Sequence, residues 1–173
     1  MRYPDTPAMT RTFELARNRL KLDGKMKDYT LKSENAFLHY NGIRTTITQY
    51  ATNFASNDFF KVADTPDNKE GYVPKSYFDI GYDALYKRAI DPFRQYFVEK
   101  SFEEAFKKLL EYDEHSVRSY MITVLKYPNS VVRWIETMQW HTGILDAGLS
   151  ETVLESLAFD DPRVENPKWY YFE

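Results

Sequence analysis

Residues 78–100 read FDIGYDALYKRAIDPFRQYFVEK, and the pattern of this stretch decides the fold class, because from here the chain turns helical and stays so almost to its end. Pro92 has no amide hydrogen for an inner helical turn, so the run is expected to break or kink after about Ile90, as two helices or one bent one. Downstream, Ser101-Phe102-Glu103-Glu104 has the form of a capping box, in which the serine hydroxyl and the Glu104 carboxylate satisfy each other's backbone donors. Phe102, Phe106, Leu109 and Leu110 are expected to follow as its buried stripe. Ser116 can cap a helix through Leu125, stopped by Tyr127-Pro128. Ser130 opens another, with Val131, Trp134, Ile135 and Met138 on its apolar side, and Ser150 opens the next, ending near Phe159.

Upstream of the helical run the signals are of other kinds. Residues 62–76, VADTPDNKEGYVPKS, are polar with two prolines and a glycine and read as a long surface loop. In residues 36–47, AFLHYNGIRTTI, the dipeptide Asn41-Gly42 separates two runs rich in aromatic and β-branched residues, a strong hairpin signal that places strands near 36–40 and 43–47. Thr6-Pro7 reads as a helix start, with Met9, Phe13, Ala16 and Leu20 at helical spacing, so a helix is expected over 7–20 and an end at Leu22-Asp23-Gly24. KMKDYTLKS, residues 25–33, looks extended. The closing FDDPRVENPKWYYFE predicts a last strand over 168–173 that enters a sheet whose partners are missing. The fold class is thus mainly α with a small β-hairpin, laid out like a helical insertion in a larger fold. Residues 1–62 form its first part, 63–167 the helical domain, and 168–173 the returning strand.

Composition narrows the function classes. At 173 residues and 43% hydrophobic content the chain suits one domain with a real core. Its 23 basic and 26 acidic residues are mixed along the whole length, so no nucleic-acid partner is implied. Cysteine is absent, which removes disulfides, thiol catalysis and thiolate metal sites and leaves intracellular and secreted locations equally open. No apolar run approaches the roughly 20 residues that span a bilayer, and no signal peptide is visible, so the chain reads as soluble with no membrane partner. The abrupt start suggests that Met1 is an internal methionine.

The residue chemistry offers few candidates. His39, His115 and His141 lie far apart, none at the spacing that puts two imidazoles on one helix face, so no metal site is expected. Asp160 and Asp161 stand before a proline, where adjacent aspartates mark a turn more often than an acid/base pair. Six glycines form no GxGxxG and no GxxxxGK[ST], so the chain lacks the usual dinucleotide cradle. Arg2 stands out. The start of a helix carries partial positive charge, so an arginine just ahead of one is electrostatically awkward, while a guanidinium fork matches a carboxylate with two parallel hydrogen bonds.

Taken in order, MRYPDTPAMTRTFELARNRL (1–20), SENAFLHYNGIRTT (33–46), YDEHSVRSYMI (112–122) and VLESLAFDD (153–161) resemble the flavin-dependent L-amino-acid oxidases of the amine oxidase superfamily, the fungal and bacterial members most. The resemblance covers essentially the whole chain. It implies a middle segment of a longer α+β flavoprotein amine oxidase fold, comprising the start of the substrate-binding region and the helical domain, with the dinucleotide-binding unit upstream. It also implies FAD as cofactor, with Met1 and Arg2 close to it, and an L-amino acid whose α-carboxylate is gripped by Arg2. The reaction implied is oxidative deamination with O2 to a 2-oxo acid, ammonia and hydrogen peroxide. Further partners implied are the remaining parts of the same oxidase and, as homodimer or higher oligomer, a second copy. Venom members carry a substrate-contacting histidine where this chain has Phe159, which is left either as an apolar pocket wall or as a core phenylalanine, and no catalytic residue falls within the segment. Trp134, Trp140 and the tyrosines suit either an access funnel or plain core packing. Two alternatives stay open, a non-catalytic helical interaction module and a monoamine or polyamine oxidase, the latter giving Arg2 no carboxylate to bind.

Overall fold

A computed structural model describes residues 2–29, 36–53, 58–139, 143–159, 161–165 and 168–172, with the side chains of Arg2, residues 51–53 and Phe172 outside the description. The strands are β1 (Arg2–Pro4), β2 (Met26–Asp28), β3 (Phe37–Tyr40), β4 (Ile43–Thr46), β5 (Ala63–Asp64), β6 (Val73–Pro74) and β7 (Trp169–Phe172). The α-helices are α1 (Thr10–Glu14), α2 (Ile47–Asn53), α3 (Lys75–Phe78), α4 (Tyr82–Glu99), α5 (Phe102–Leu110), α6 (Val117–Thr123), α7 (Asn129–Met138) and α8 (Leu149–Phe159). The chain divides into a sheet unit, made by 1–31, 90–117 and 147–173, and a hairpin unit, made by 32–89 and 118–146.

In the sheet unit β7 is the central strand, antiparallel to β1 on one side and to β2 on the other. The closing strand therefore has its partners within the chain, which corrects the expectation that they are missing. Strands of three residues are too short to show alternation, so β1 and β2 left no periodic signal. Arg2 belongs to β1, and the helical stretch begins only at Pro7, so the arginine does not stand at a helix start. That stretch runs as a 3-10 turn over Pro7–Met9, then α1, then a wider π turn over Leu15–Arg19. Phe13 and Ala16 are buried as expected, but Leu20 is exposed. Lys21 ends the run with a left-handed φ of 54°.

Pro92 lies inside α4, which continues through it as one helix. A proline costs an inner helix one amide hydrogen bond while its φ stays helical, and buried Ile90 and Phe93 hold the residues around it. The capping box of α5 forms: Ser101 Oγ accepts the Glu104 amide at 3.3 Å, and the Glu104 carboxylate accepts the Ser101 amide at 3.3 Å. The expected stripe holds at Leu109, which is buried, and is corrected elsewhere: α5 buries Ala105 besides, leaves Phe106 half-buried, and exposes Leu110 and Phe102, the latter at 60%. Phe102 lies instead against Phe97 and Phe106, with centroids 5.6 and 5.7 Å away. α8 starts at Leu149, which places Ser150 inside the helix, buried, and not at its cap.

In the hairpin unit Asn41 and Gly42 both adopt positive φ, 48° and 73°, and bring β3 and β4 into antiparallel register from Phe37 opposite Thr46 to Tyr40 opposite Ile43. Type I′ turns require that conformation at both central residues. The second strand stops one residue early, because the Thr46 hydroxyl accepts the Gln49 amide at 3.1 Å and so starts α2 at Ile47. Within 62–76 the chain is not all loop: β5 and β6 pair in parallel, and Asn68 Nδ2 donates to the Ala63 carbonyl at 2.9 Å. Gly71 permits this approach, as a Cβ there would stand 2.0 Å from the Ala63 oxygen. The core centres on α7, which buries Val131, Trp134, Ile135 and Met138 as expected and Val132 besides. Its first residue is Asn129, with Pro128 at the cap position, so Ser130 does not open it. Trp134 stacks on Phe78 at 5.6 Å and meets Tyr82 edge-on at 6.0 Å, which makes it a core residue.

Candidate functional site

The site residues singled out from sequence are Met1, Arg2 and Phe159. Met1 lies outside the described residues. Arg2 opens β1 with its backbone opposite Tyr171, and two residues on Pro4 stands opposite Trp169. Phe159 ends α8, half-buried, and its ring stacks on Trp169 at 6.4 Å with the planes 20° apart. One strand, β7, thus carries the register partner of Arg2 and, two residues away, the ring beneath Phe159. Thr6 completes the seam. Its hydroxyl donates to the Ala158 carbonyl at 3.0 Å, so the residue at the cap position of the first helix ties the end of β1 to the end of α8 and makes no side-chain cap. Sequence gives neither Trp169 nor Thr6 a place in the site. Their only signals there were the aromatic run near the C-terminus and a threonine before a proline.

The neighbouring β7 residues are held as firmly. Tyr170 meets Phe13 edge-on at 5.7 Å, with the Arg17 guanidinium 5.4 Å from its ring. Arg17 in turn lies 3.4 Å from both Asp5 and Asp23. Tyr171, opposite Arg2, meets Tyr29 edge-on at 6.3 Å.

Beyond Phe159 the chain turns through Asp161, whose carboxylate has no solvent exposure. It accepts the Arg163 amide at 2.9 Å and both ends of the Arg163 fork, Nε at 2.8 Å and Nη2 at 2.6 Å. The hydrogen bonds from the Arg163 side chain hold its pKa below the usual carboxylate value against the opposing effect of burial. An acid that stays ionised and fully bonded is a poor proton shuttle, so the turn reading of Asp161 stands and Asp160 lies outside the described residues. Beside this turn is an apolar cavity of about 430 Å³ lined by Ala8, Phe97, Phe102, Leu154, Leu157 and Ala158 among others, with Arg163 as its charged member.

Of the described residues, His39 and His115 take no part in this seam. His39 is exposed on β3, His115 lies by Tyr112 with its ring 6.5 Å away, and His141, like Trp140, is outside the described residues. Among the described residues no three His, Asp or Glu side chains converge on a common point, and no helix is long and apolar enough to cross a membrane.

No family model matches the chain. Two curated proteins do. A protein of Dictyostelium discoideum named as a bifunctional amine oxidase is 33% identical over 137 residues, which is 76% of this chain and 12% of that protein. L-amino-acid oxidase 4 of Hebeloma cylindrosporum is 28% identical over 149 residues, 77% of this chain and 22% of that protein. The chain spans at most about a fifth of the length of the relatives it matches, and together they support the amine oxidase family as its kinship.

Proposed function

We propose that this chain is the substrate-side and helical segment of a longer flavin-dependent L-amino-acid oxidase, in which Arg2 binds the substrate carboxylate and Phe159 walls the pocket. The observation that carries the reading is the seam of β1, β7 and α8, which gathers two residues from opposite ends of the sequence onto one central strand. The two oxidase relatives add to it. An arginine on a strand fixed by backbone pairing is positioned before substrate arrives, and a guanidinium fork holds a carboxylate in one orientation. Phe159, backed by Trp169, contributes an apolar surface that excludes water and carries no proton.

The chain's own residues do not fit a dinucleotide: it has no glycine-rich phosphate turn. FAD, which would accept hydride from the substrate, belongs in this proposal to the remaining parts of the oxidase. What this segment does is bind, orient and desolvate. Substrate α-carboxylate is the feature that separates an amino-acid oxidase from a monoamine or polyamine oxidase, because an amine gives Arg2 nothing to pair with.

The test is an absorbance spectrum of the protein at its full natural length, followed by anaerobic addition of L-amino acids. A flavin spectrum bleached by L- and not by D-amino acids is expected, with the matching amines inert. Arg2→Gln should raise KM by about a hundredfold, the scale of a charged pair that loses one partner. A colourless protein, or one bleached equally by the amines, overturns the reading. A second reading, the non-catalytic helical interaction module, is favoured by the exposed apolar residues Val98, Phe102 and Leu110 of the sheet unit.

A further inference from the structure

The hairpin unit contains a groove of about 400 Å³ lined by Tyr40, Asn41, Tyr72, Ser130, Arg133 and Thr137. Three separate segments build it: the hairpin turn, the residue before β6, and the polar side of α7. Ser130, Arg133 and Thr137 are spaced by three and four residues, so they stand on one helix face while Val131, Val132, Trp134 and Ile135 enter the core. The groove is a row of donors. Tyr40 and Tyr72 hydroxyls are 3.1 Å apart, and since only one proton is used between them, one phenolic hydrogen is left for a ligand. Burial first, then the Tyr40 bond, pushes the Tyr72 hydroxyl well above the usual phenol range, so it stays a donor. Thr137 gives its hydrogen to the Arg133 carbonyl at 2.8 Å, and Asn41 gives one amide hydrogen to the Phe60 carbonyl at 2.9 Å. Among the described residues the Arg133 guanidinium has no ion pair and no hydrogen bond, and the Ser130 hydroxyl has no partner. By contrast Arg118, in the same unit, pairs with both Glu136 and Asp146.

We propose that this groove is a binding site for a small monocarboxylate, with Arg133 taking the two carboxylate oxygens and Ser130 and the spare phenol hydrogen completing their hydrogen bonds. One cation matches one negative charge, and the Asp58 carboxylate, which acts on Tyr72, weighs against any anion here and against a dianion such as phosphate most. The Tyr40 and Tyr72 rings give an apolar or aromatic body of the ligand a surface to lie on, which favours an aryl or branched-chain acid over acetate. The site belongs to the hairpin unit, does not use Arg2, and stands whether or not the oxidase reading holds.

Titration of the full chain with benzoate, followed by nuclear magnetic resonance, tests this. Saturable shifts at Tyr40, Asn41, Tyr72 and Arg133 are expected with a Kd of about 1 mM, in keeping with one bidentate contact at an open site. Arg133→Gln should weaken binding by about tenfold or more, and Ser130→Ala and Tyr72→Phe by severalfold each. Arg133 and Tyr72 are exposed, so the fold should be unaffected by circular dichroism; Ser130→Ala, which removes one hydroxyl, keeps the test open if Arg133→Gln disturbs it. Benzyl alcohol should produce no such shifts, and inorganic phosphate at matched ionic strength should bind more weakly than benzoate. Benzoate shifts that do not saturate, that survive Arg133→Gln unchanged, or that phosphate reproduces at equal affinity overturn the proposal.

Discussion

In the sheet unit, Arg163 closes on Asp161 with both arms of its fork, and the carboxylate it holds is shut off from solvent. In the hairpin unit, Arg133 stands in a groove of hydroxyls where no carboxylate among the described residues pairs with it. The two arginines are alike in charge and in donor number, and they differ in whether the chain itself supplies the anion. A guanidinium already paired in the folded chain stabilises a turn. One left beside several unused donors is prepared for an anion from outside, since its hydrogen bonds are satisfied only when a ligand or water meets them. Arg2 is proposed as a third case, held on a paired strand for a substrate carboxylate.

The largest effect should come from the core beneath the open groove. Trp134 is 1% exposed and lies between Phe78 and Tyr82, so Trp134→Ala should cost about 3–5 kcal/mol of stability in urea unfolding. If α7 loses its seat, Arg133 and Ser130 lose their common alignment, and the difference between an open and a closed arginine disappears. A cost under about 1 kcal/mol would show that α7 does not depend on this cluster.

Next comes the closed pair. Asp161→Ala removes the acceptor of three hydrogen bonds and should cost about 2–3 kcal/mol, the scale for bonds to a charged group. The pH dependence has a definite sign. Because the folded pKa of Asp161 is lowered from its ordinary 3.8, its contribution is present above that value and is lost as pH falls through the lower folded one. Stability of the parent should therefore drop below about pH 4, and Asp161→Asn should show a shallower drop over the same range. Equal acid limbs in the two proteins would mean that Arg163 is not holding the charge.

The parts of the fold that could be read from sequence are those set by neighbours in the chain. Asn41-Gly42 dictates a hairpin through its own backbone preferences, Ser101 and Glu104 cap through a spacing of three, and the buried face of α7 follows from its period. What could not be read depends on partners far away in sequence. Trp169 and Arg2 carry no local sign that β7 lies between β1 and β2, and Pro92 carries none that buried neighbours hold its helix together. Helical spacing puts Phe102 in one stripe with Phe106, Leu109 and Leu110, yet which face of α5 is buried is decided by what the helix meets. The same limit applies to the sites. Asp160-Asp161 before a proline announced a turn, but the spare donors of Ser130 and Arg133 become visible only when the hairpin brings Tyr40 and Asn41 beside them.

The smallest effect concerns two serines near helix starts, one in each unit. Both precede an apolar run and both read alike as caps. Ser101 accepts the Glu104 amide and is answered by the Glu104 carboxylate, so Ser101→Ala should cost about 1 kcal/mol. Ser130 lies one residue inside α7, behind Pro128 at the cap position, and makes no such bond. Its replacement by alanine removes no helix-capping partner and places a better helix former in the first turn, so Ser130→Ala should leave stability within about 0.5 kcal/mol of the parent. Measured side by side by urea unfolding, the pair separates a hydroxyl used by the fold from a hydroxyl left over. A cost of about 1 kcal/mol at Ser130 as well would mean that its hydroxyl is used by the helix, and Arg133 would then have one donor fewer beside it for a ligand.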